Sequence, residues 1–159
     1  MDSLSLAEHV AETLDIGPGT RVFEVDCGRG DFLLALHQNG YIVGGTDRDP
    51  DAIKDAIAAM PDGLFQVGPA ATLDPAVPWH VVVCRSFCGA PDPGYMRGLL
   101  ARMFAKATHA IALLNVPDKR RQWMVHELAE IGAKAIQIED VKGGQKENAR
   151  EAFNAFARV

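Results

Sequence analysis

Val22-Phe-Glu-Val-Asp-Cys-Gly-Arg-Gly-Asp-Phe32 joins an apolar run to a glycine turn and then to an amphipathic segment. Arg21 to Val25 predicts a strand, and Cys27-Gly-Arg-Gly30 predicts a tight turn. Asp31 to Gln38 predicts a helix with Phe32, Leu33 and Leu36 turned inward, ended by Asn39-Gly40. Gly28 and Gly30 allow backbone conformations closed to other residues and a close approach to a ligand. Ligands of open α/β sheets bind beyond the carboxyl ends of the strands, so this turn is the first place to expect chemistry. A second acid, Asp47, closes the following apolar run, Tyr41 to Thr46. A carboxylate there can accept hydrogen bonds from both hydroxyls of a ribose. The same two glycines also suit a plain strand-to-helix turn. The dinucleotide pattern G-x-G-x-x-G fails, because position 33 is leucine, which makes a nicotinamide cofactor the weaker fit.

The alternation extends in both directions. Ser5-Leu-Ala-Glu8 has capping-box spacing ahead of a first helix carrying Leu6, Val10 and Leu14, which Gly17-Pro18-Gly19 stops. Asp49-Pro50 starts a helix with Ile53, Ile57 and Met60 on its inner face. Leu64 to Val67 and Trp79 to Cys84 predict two strands, the second apolar throughout and so buried on both faces. Asp92-Pro93 caps a helix with Leu99, Leu100, Met103 and Phe104 facing the core, and Ala110 to Leu114 predicts a fifth strand. Asp118 to Ile131 predicts the last helix. Ala133 to Asp140 and Phe153 to Val159 predict an antiparallel closing hairpin around the polar loop from Val141 to Glu151. Strands alternating with helices imply one α/β domain over residues 1–159, with a doubly wound, mostly parallel sheet and a C-terminal antiparallel hairpin.

Composition narrows the function. The chain has 159 residues, 48% hydrophobic and 23% charged, with a net charge of -5. No segment reaches the length of a membrane span, and no signal peptide is read at Met1 to Ser5, so a cytoplasmic location is expected. The acidic balance argues against a nucleic-acid partner. Three cysteines, Cys27, Cys84 and Cys88, make no disulfide framework. His80 and Cys84 in one strand would lie about 13 Å apart, too far to share a metal, so none is expected.

Taken together these motifs resemble those of the class I S-adenosylmethionine (SAM)-dependent methyltransferases. Val22 to Leu33 is similar to their first motif and Gly44-Gly-Thr-Asp-Arg-Asp-Pro-Asp-Ala-Ile53 to their second. Trp79-His-Val-Val-Val-Cys-Arg-Ser-Phe87 resembles the fourth-strand motif and Asn148 to Arg158 the closing strand of some bacterial members. The resemblance implies SAM as cofactor, with S-adenosylhomocysteine as product. It implies that Glu24, Asp26, Gly28 and Gly30 lie at the methionine part and that Asp47 holds the ribose. Arg48, Ala70 and Ala71 would lie near the adenine, and Arg85 and Ser86 would face the sulfonium and the acceptor.

Three positions depart from that pattern. Asp26 stands where most relatives have glycine, Pro69 where many have an acid for the adenine, and His80 where aspartate commonly begins the fourth strand. The segments that usually cover the acceptor are short. Methyl transfer asks mainly for alignment of the acceptor and exclusion of water. His126 and His80 are candidate bases by residue type, and Lys119-Arg120-Arg121 is either an acid-binding patch or a solvated charge run. A second copy of the chain or a partner protein is expected to cover the open site, with Phe87, Tyr95 and Trp123 near that edge. The alternative reading is a degenerate methyltransferase fold acting as a non-catalytic structural or regulatory partner.

Overall fold

A computed structural model describes residues 1–69, 78–85, 92–141 and 152–159. In chain order these form α1 (Ser3–Leu14), β1 (Arg21–Val25), α2 (Asp31–His37), β2 (Ile42–Asp47), α3 (Pro50–Ala59), β3 (Leu64–Val67) and β4 (Trp79–Cys84). There follow α4 (Pro93–Lys106), β5 (Ala107–Pro117), a 3-10 turn (Asp118–Arg120), α5 (Arg121–Glu130), β6 (Ala135–Val141) and β7 (Ala152–Arg158). Among the described residues seven strands make one sheet in the order β3-β2-β1-β4-β5-β7-β6. The pairs from β3 to β5 are parallel, and β7 runs antiparallel between β5 and β6. The expected doubly wound sheet and closing hairpin are both present.

Two apolar layers sandwich the sheet. On one face Phe23, Val25, Val82, Ile111 and Leu113 pack against Leu100 and Met103 of α4 and Met124 and Leu128 of α5. On the other, Val22, Val81, Val83 and Ala112 pack against α1, α2 and α3 through Val10, Phe32 and Ile53. Two buried faces explain why β4 lacks the alternation of a half-exposed strand. β1 and β4 are neighbours although two strands separate them in sequence. The crevice between them is where strand order reverses, the usual ligand position in such sheets.

Several local expectations are corrected. Asp2, not Ser5, caps α1, accepting the Ser5 N–H at 2.8 Å. That helix ends at Asp15, in the left-handed conformation with φ 51°, before the Gly17-Pro18-Gly19 stop is reached. Ile57 is exposed, and Ala56 takes the buried position on α3. β5 is longer at both ends, because Ala107 pairs with Trp79 of β4 and the ladder to β7 continues past an irregularity between Leu113 and Val116 as far as Pro117. The last helix begins as the 3-10 turn. Trp123 is half-buried against the α4–α5 core, and Tyr95 is exposed. Phe87, Cys88 and the polar loop of the hairpin lie outside the described residues. No helix among the described residues is long and apolar enough to cross a membrane.

Asp15 carries an L side chain where glycine is the usual helix stop. Asp15→Gly is expected to raise the midpoint of thermal unfolding, with a gain of about 0.5–1 kcal/mol after glycine's extra chain entropy is counted. A lower midpoint would mean that the Asp15 side chain contributes more than its backbone strain costs.

Candidate functional site

The turn after β1 is held by the acid at the end of β2. Asp47 Oδ2 accepts the Gly28 N–H at 2.7 Å, and its Oδ1 accepts the Asp49 N–H at 2.9 Å. The Cys27 N–H bonds to the Thr46 carbonyl at 2.9 Å, and the Gly68 N–H after β3 bonds to the Asp47 carbonyl at 2.8 Å. One residue therefore ties together three strand ends. Each carboxylate oxygen accepts one bond here, and each has lone pairs for another. Gly28 has φ 56°, and a Cβ placed on it would meet nothing within 4 Å, so the space over the turn is open. Gly30, with φ 83°, has a packing role: a Cβ there would lie 2.7 Å from Met60 Cε of the α3 cap. Asp26 adopts φ 54°, the conformation that the glycine of the related pattern would take without strain.

Glu24 lies one layer below, fully buried as the penultimate residue of β1. Its Oε1 accepts a hydrogen bond from Arg85 Nε just past β4, across the crevice where strand order reverses. The Arg85 guanidinium also lies 5.3 Å from the centre of the Phe32 ring. Glu24 Oε2 is buried with no hydrogen-bond partner among the described residues. Burial pushes the Glu24 carboxyl up to about 7; Arg85 pulls it down, and the Asp31 and Asp47 carboxylates add to the rise. Burial also pushes the Cys27 thiol up to about 12, helped by Glu24 and Asp47, so it stays protonated at neutral pH.

A cleft of about 660 Å³ adjoins Arg85 on the α1 face of the sheet. Its apolar wall is Met1 and Leu6 from the start of α1, Leu114 of β5 and Val141 of β6. Its polar wall is His9, Arg85, Asn115, Glu139, Asp140 and Asn154. His9 Nε2 lies 2.5 Å from Glu139 Oε2, and Gln137 Nε2 donates to Glu139 Oε1 at 2.7 Å. The Phe156 ring meets the His9 ring edge-on at 6.2 Å. Asn115 stands at φ 56° in the β5 irregularity, and its N–H donates to the buried Asn154 Oδ1 at 2.9 Å.

The expected site residues divide accordingly. Glu24, Asp26, Gly28, Gly30, Asp47, Arg48 and Arg85 cluster at the carboxyl ends of β1, β2 and β4, with Arg48 exposed beside Asp47. Ala70, Ala71 and Ser86 lie outside the described residues. His80 sits at the opposite, amino end of β4, where its Nδ1 accepts the Arg21 N–H at 2.9 Å; it is a structural acceptor, not a base at this site. His126 is exposed on α5 beside Glu127 and does not line the cleft. In the basic run, Arg121 is bound to Asp118 and Asp140 and stacks on Phe153, while Lys119 is exposed. His9 and Glu139, 130 residues apart, were not foreseen. The one local signal was a histidine three residues after Leu6, on the half-buried stripe of α1.

No described sequence family and no curated protein matches the chain. Solved structures do. Magnesium protoporphyrin IX methyltransferase from Synechocystis, with bound SAM, is 17% identical over 98% of this chain and 78% of its own, with a TM-score of 0.76. A SAM-bound amino pentose methyltransferase of calicheamicin biosynthesis from Micromonospora echinaspora is 16% identical over 100% and 92%, with a TM-score of 0.75. A SAM-dependent methyltransferase from Archaeoglobus fulgidus is 14% identical over 99% and 94%, with a TM-score of 0.76. At such identities the likeness is one of fold, and the fold is that of the class I methyltransferases.

Glu24 gives a test of the crevice. A carboxyl pushed up in the folded state stabilises the fold fully below its unfolded value, and that contribution is lost as pH rises through the folded value. The window runs from the ordinary 4.5 to about 7. Glu24→Gln removes the titration, so denaturant unfolding should show wild type losing stability relative to the variant across this window, by on the order of 3 kcal/mol. A wild type that gains on the variant as pH rises would show the Arg85 pair outweighing burial.

Proposed function

We propose that this chain, which has the class I methyltransferase fold, binds SAM over the β1 turn and transfers its methyl group to an acceptor in the adjoining cleft. The observation that carries the reading is the Asp47 carboxylate fastened to the Gly28 N–H at 2.7 Å at the mouth of the crevice. It joins a carboxylate with spare acceptor capacity to an open glycine turn, as a ribose-binding acid would require. Glu24 Oε2, which has no donor among the described residues, fits the cofactor as well, because an ammonium would supply one.

When bound, SAM supplies a methyl group already activated on a sulfonium sulfur. Asp47 accepts the ribose hydroxyls with its spare lone pairs, Gly28 keeps the backbone clear, and Arg48 lies on the adenine side. Arg85 holds Glu24 in place and forms the wall shared by the turn and the cleft. His9 and Glu139 keep a third and a quarter of their side-chain surface exposed, at 33% and 24%, so the cleft needs a cover to exclude water. We take that cover to be a second copy of the chain, which sedimentation at micromolar concentration tests; a monomer under turnover conditions would overturn it.

The non-catalytic alternative has its own support. Asp26 occupies a glycine conformation, Pro69 offers no carboxylate or N–H, and Arg85 brings a cation to the place where a sulfonium would lie. Calorimetric titration with SAM separates the two readings.

Asp47→Ala and Asp47→Asn should each weaken SAM binding by at least about tenfold, since a charge-assisted hydrogen bond contributes about 1.5–3 kcal/mol. Binding as tight as wild type in both variants would overturn the ribose assignment. Asp26→Gly should tighten binding by relieving both the backbone strain and the negative charge at the turn. Weaker binding would instead show the carboxylate to be a contact to the cofactor ammonium.

A further inference from the structure

We infer that two copies of this chain dimerise through β6, whose edges pair antiparallel about a two-fold axis at Gln137 and continue the sheet from one molecule into the other. The inference rests on the reading that a second copy covers the cleft, and it names the surface. β6 ends the sheet, with β7 as its one neighbouring strand among the described residues. Its outer edge therefore carries backbone donors and acceptors that β7 does not meet. The opposite edge strand, β3, has four residues, whereas β6 has seven. Lys134 extends β6 further, its N–H bonded to the Arg158 carbonyl at 3.0 Å. Along β6, Ile136 and Ile138 pack on the α4–α5 core yet stay half-buried, and Ala135, Gln137 and Val141 are exposed.

Charge selects the register. In a two-fold antiparallel pair one residue faces its own copy across the axis, and the others pair symmetrically about it. Lys134 stands just before β6 and Asp140 near its end, and both are exposed. An axis at Gln137 sets Lys134 against the partner's Asp140, and by symmetry Asp140 against the partner's Lys134. Asp140 gives one oxygen to Arg121 and keeps 77% of its side-chain surface exposed, so its second oxygen can accept from a lysine. The same register places Ile136 against the partner's Ile138 and Glu139 against the partner's Ala135. An axis at Glu139 or Asp140 would oppose like carboxylates, and an axis at Ile138 would set Asp140 against the partner's Ile136. Charges on an edge strand commonly keep copies apart. Here their order along β6 is self-complementary. Val141, 36% exposed and part of the cleft wall, would meet the partner's Ala133. The α5–β6 connection of each copy would then border the cleft of the other.

Cysteine cross-linking reads the register. Directly opposed residues of an antiparallel pair have Cα atoms about 4.5–5.5 Å apart, within the reach of a disulfide. Gln137→Cys should therefore cross-link to its own copy under mild oxidation and run as a dimer on a non-reducing gel. Ala135→Cys would lie four positions from its own copy, roughly 13 Å, and should run as a monomer. Wild type, with Cys27 and Cys84 buried, sets the background. In sedimentation, Lys134→Glu should raise the dimer dissociation constant at least about tenfold, since two opposed pairs turn from attraction to repulsion. Adding Asp140→Lys should recover most of that loss. Cross-linking of Ala135→Cys as strong as that of Gln137→Cys, or a dimer indifferent to Lys134→Glu, overturns the inference. A wild-type dimer in which Gln137→Cys does not cross-link also overturns it, and leaves the cover reading standing with the second copy on another surface. A wild-type monomer at micromolar concentration overturns both.

Discussion

Glu24 lies in the central strand of the sheet, with β2 on one side and β4 on the other, and none of its surface reaches solvent. A carboxylate taken out of water there needs a partner, and removing that partner is far costlier than never having had the pair. Arg85 is the partner, delivered by the residue just past β4. That requirement fixes more than one side chain. It pins the end of β4 to the carboxyl end of β1 across the crevice, draws the guanidinium over Phe32, and leaves the second Glu24 oxygen as a buried acceptor with no donor among the described residues.

Asp47 forms a second clamp at the same strand ends. By accepting from Gly28 on one side and Asp49 on the other, it locks the β1 turn to the start of α3. The Asp47 carbonyl meanwhile receives the N–H that follows β3. A ligand bound at this edge would therefore need little rearrangement of backbone, since the acceptors are already oriented. The cost sits in Asp26, which takes a left-handed conformation so that the turn can keep its shape with a side chain in place of glycine.

The cleft beside Arg85 depends on the closing hairpin. β7 inserts between β5 and β6, and this brings Glu139 and Asn154 into register as direct neighbours. The irregularity in β5 turns Asn115 toward Asn154 at the same edge. α1 covers this end of the sheet and presents His9 to Glu139. Strand pairing thus fixes the Glu139 and Asn154 wall of the cleft, and α1 brings His9 to it.

Legibility in the sequence followed the range of the forces involved. The order of strands and helices, the glycine turn after β1, the Asp49-Pro50 and Asp92-Pro93 helix starts and the closing hairpin could all be read, because period, capping and turn chemistry act over a few residues. The cluster of Glu24, Gly28, Asp47 and Arg85 was legible through its resemblance to known motifs, but its internal bonding was not. Glu24 and Arg85 are 61 residues apart and His9 and Glu139 are 130, so neither pairing could be read from local pattern, and the position of His9 on α1 was the only local hint. His80 and His126 drew attention as histidines of the right type, yet strand polarity puts one at the amino end of β4 and exposure puts the other outside the cleft. The sequence by itself determined the elements and the glycine turn after β1. Only the tertiary structure decided which charges meet, because strand order and register, not chain distance, set which side chains share a face.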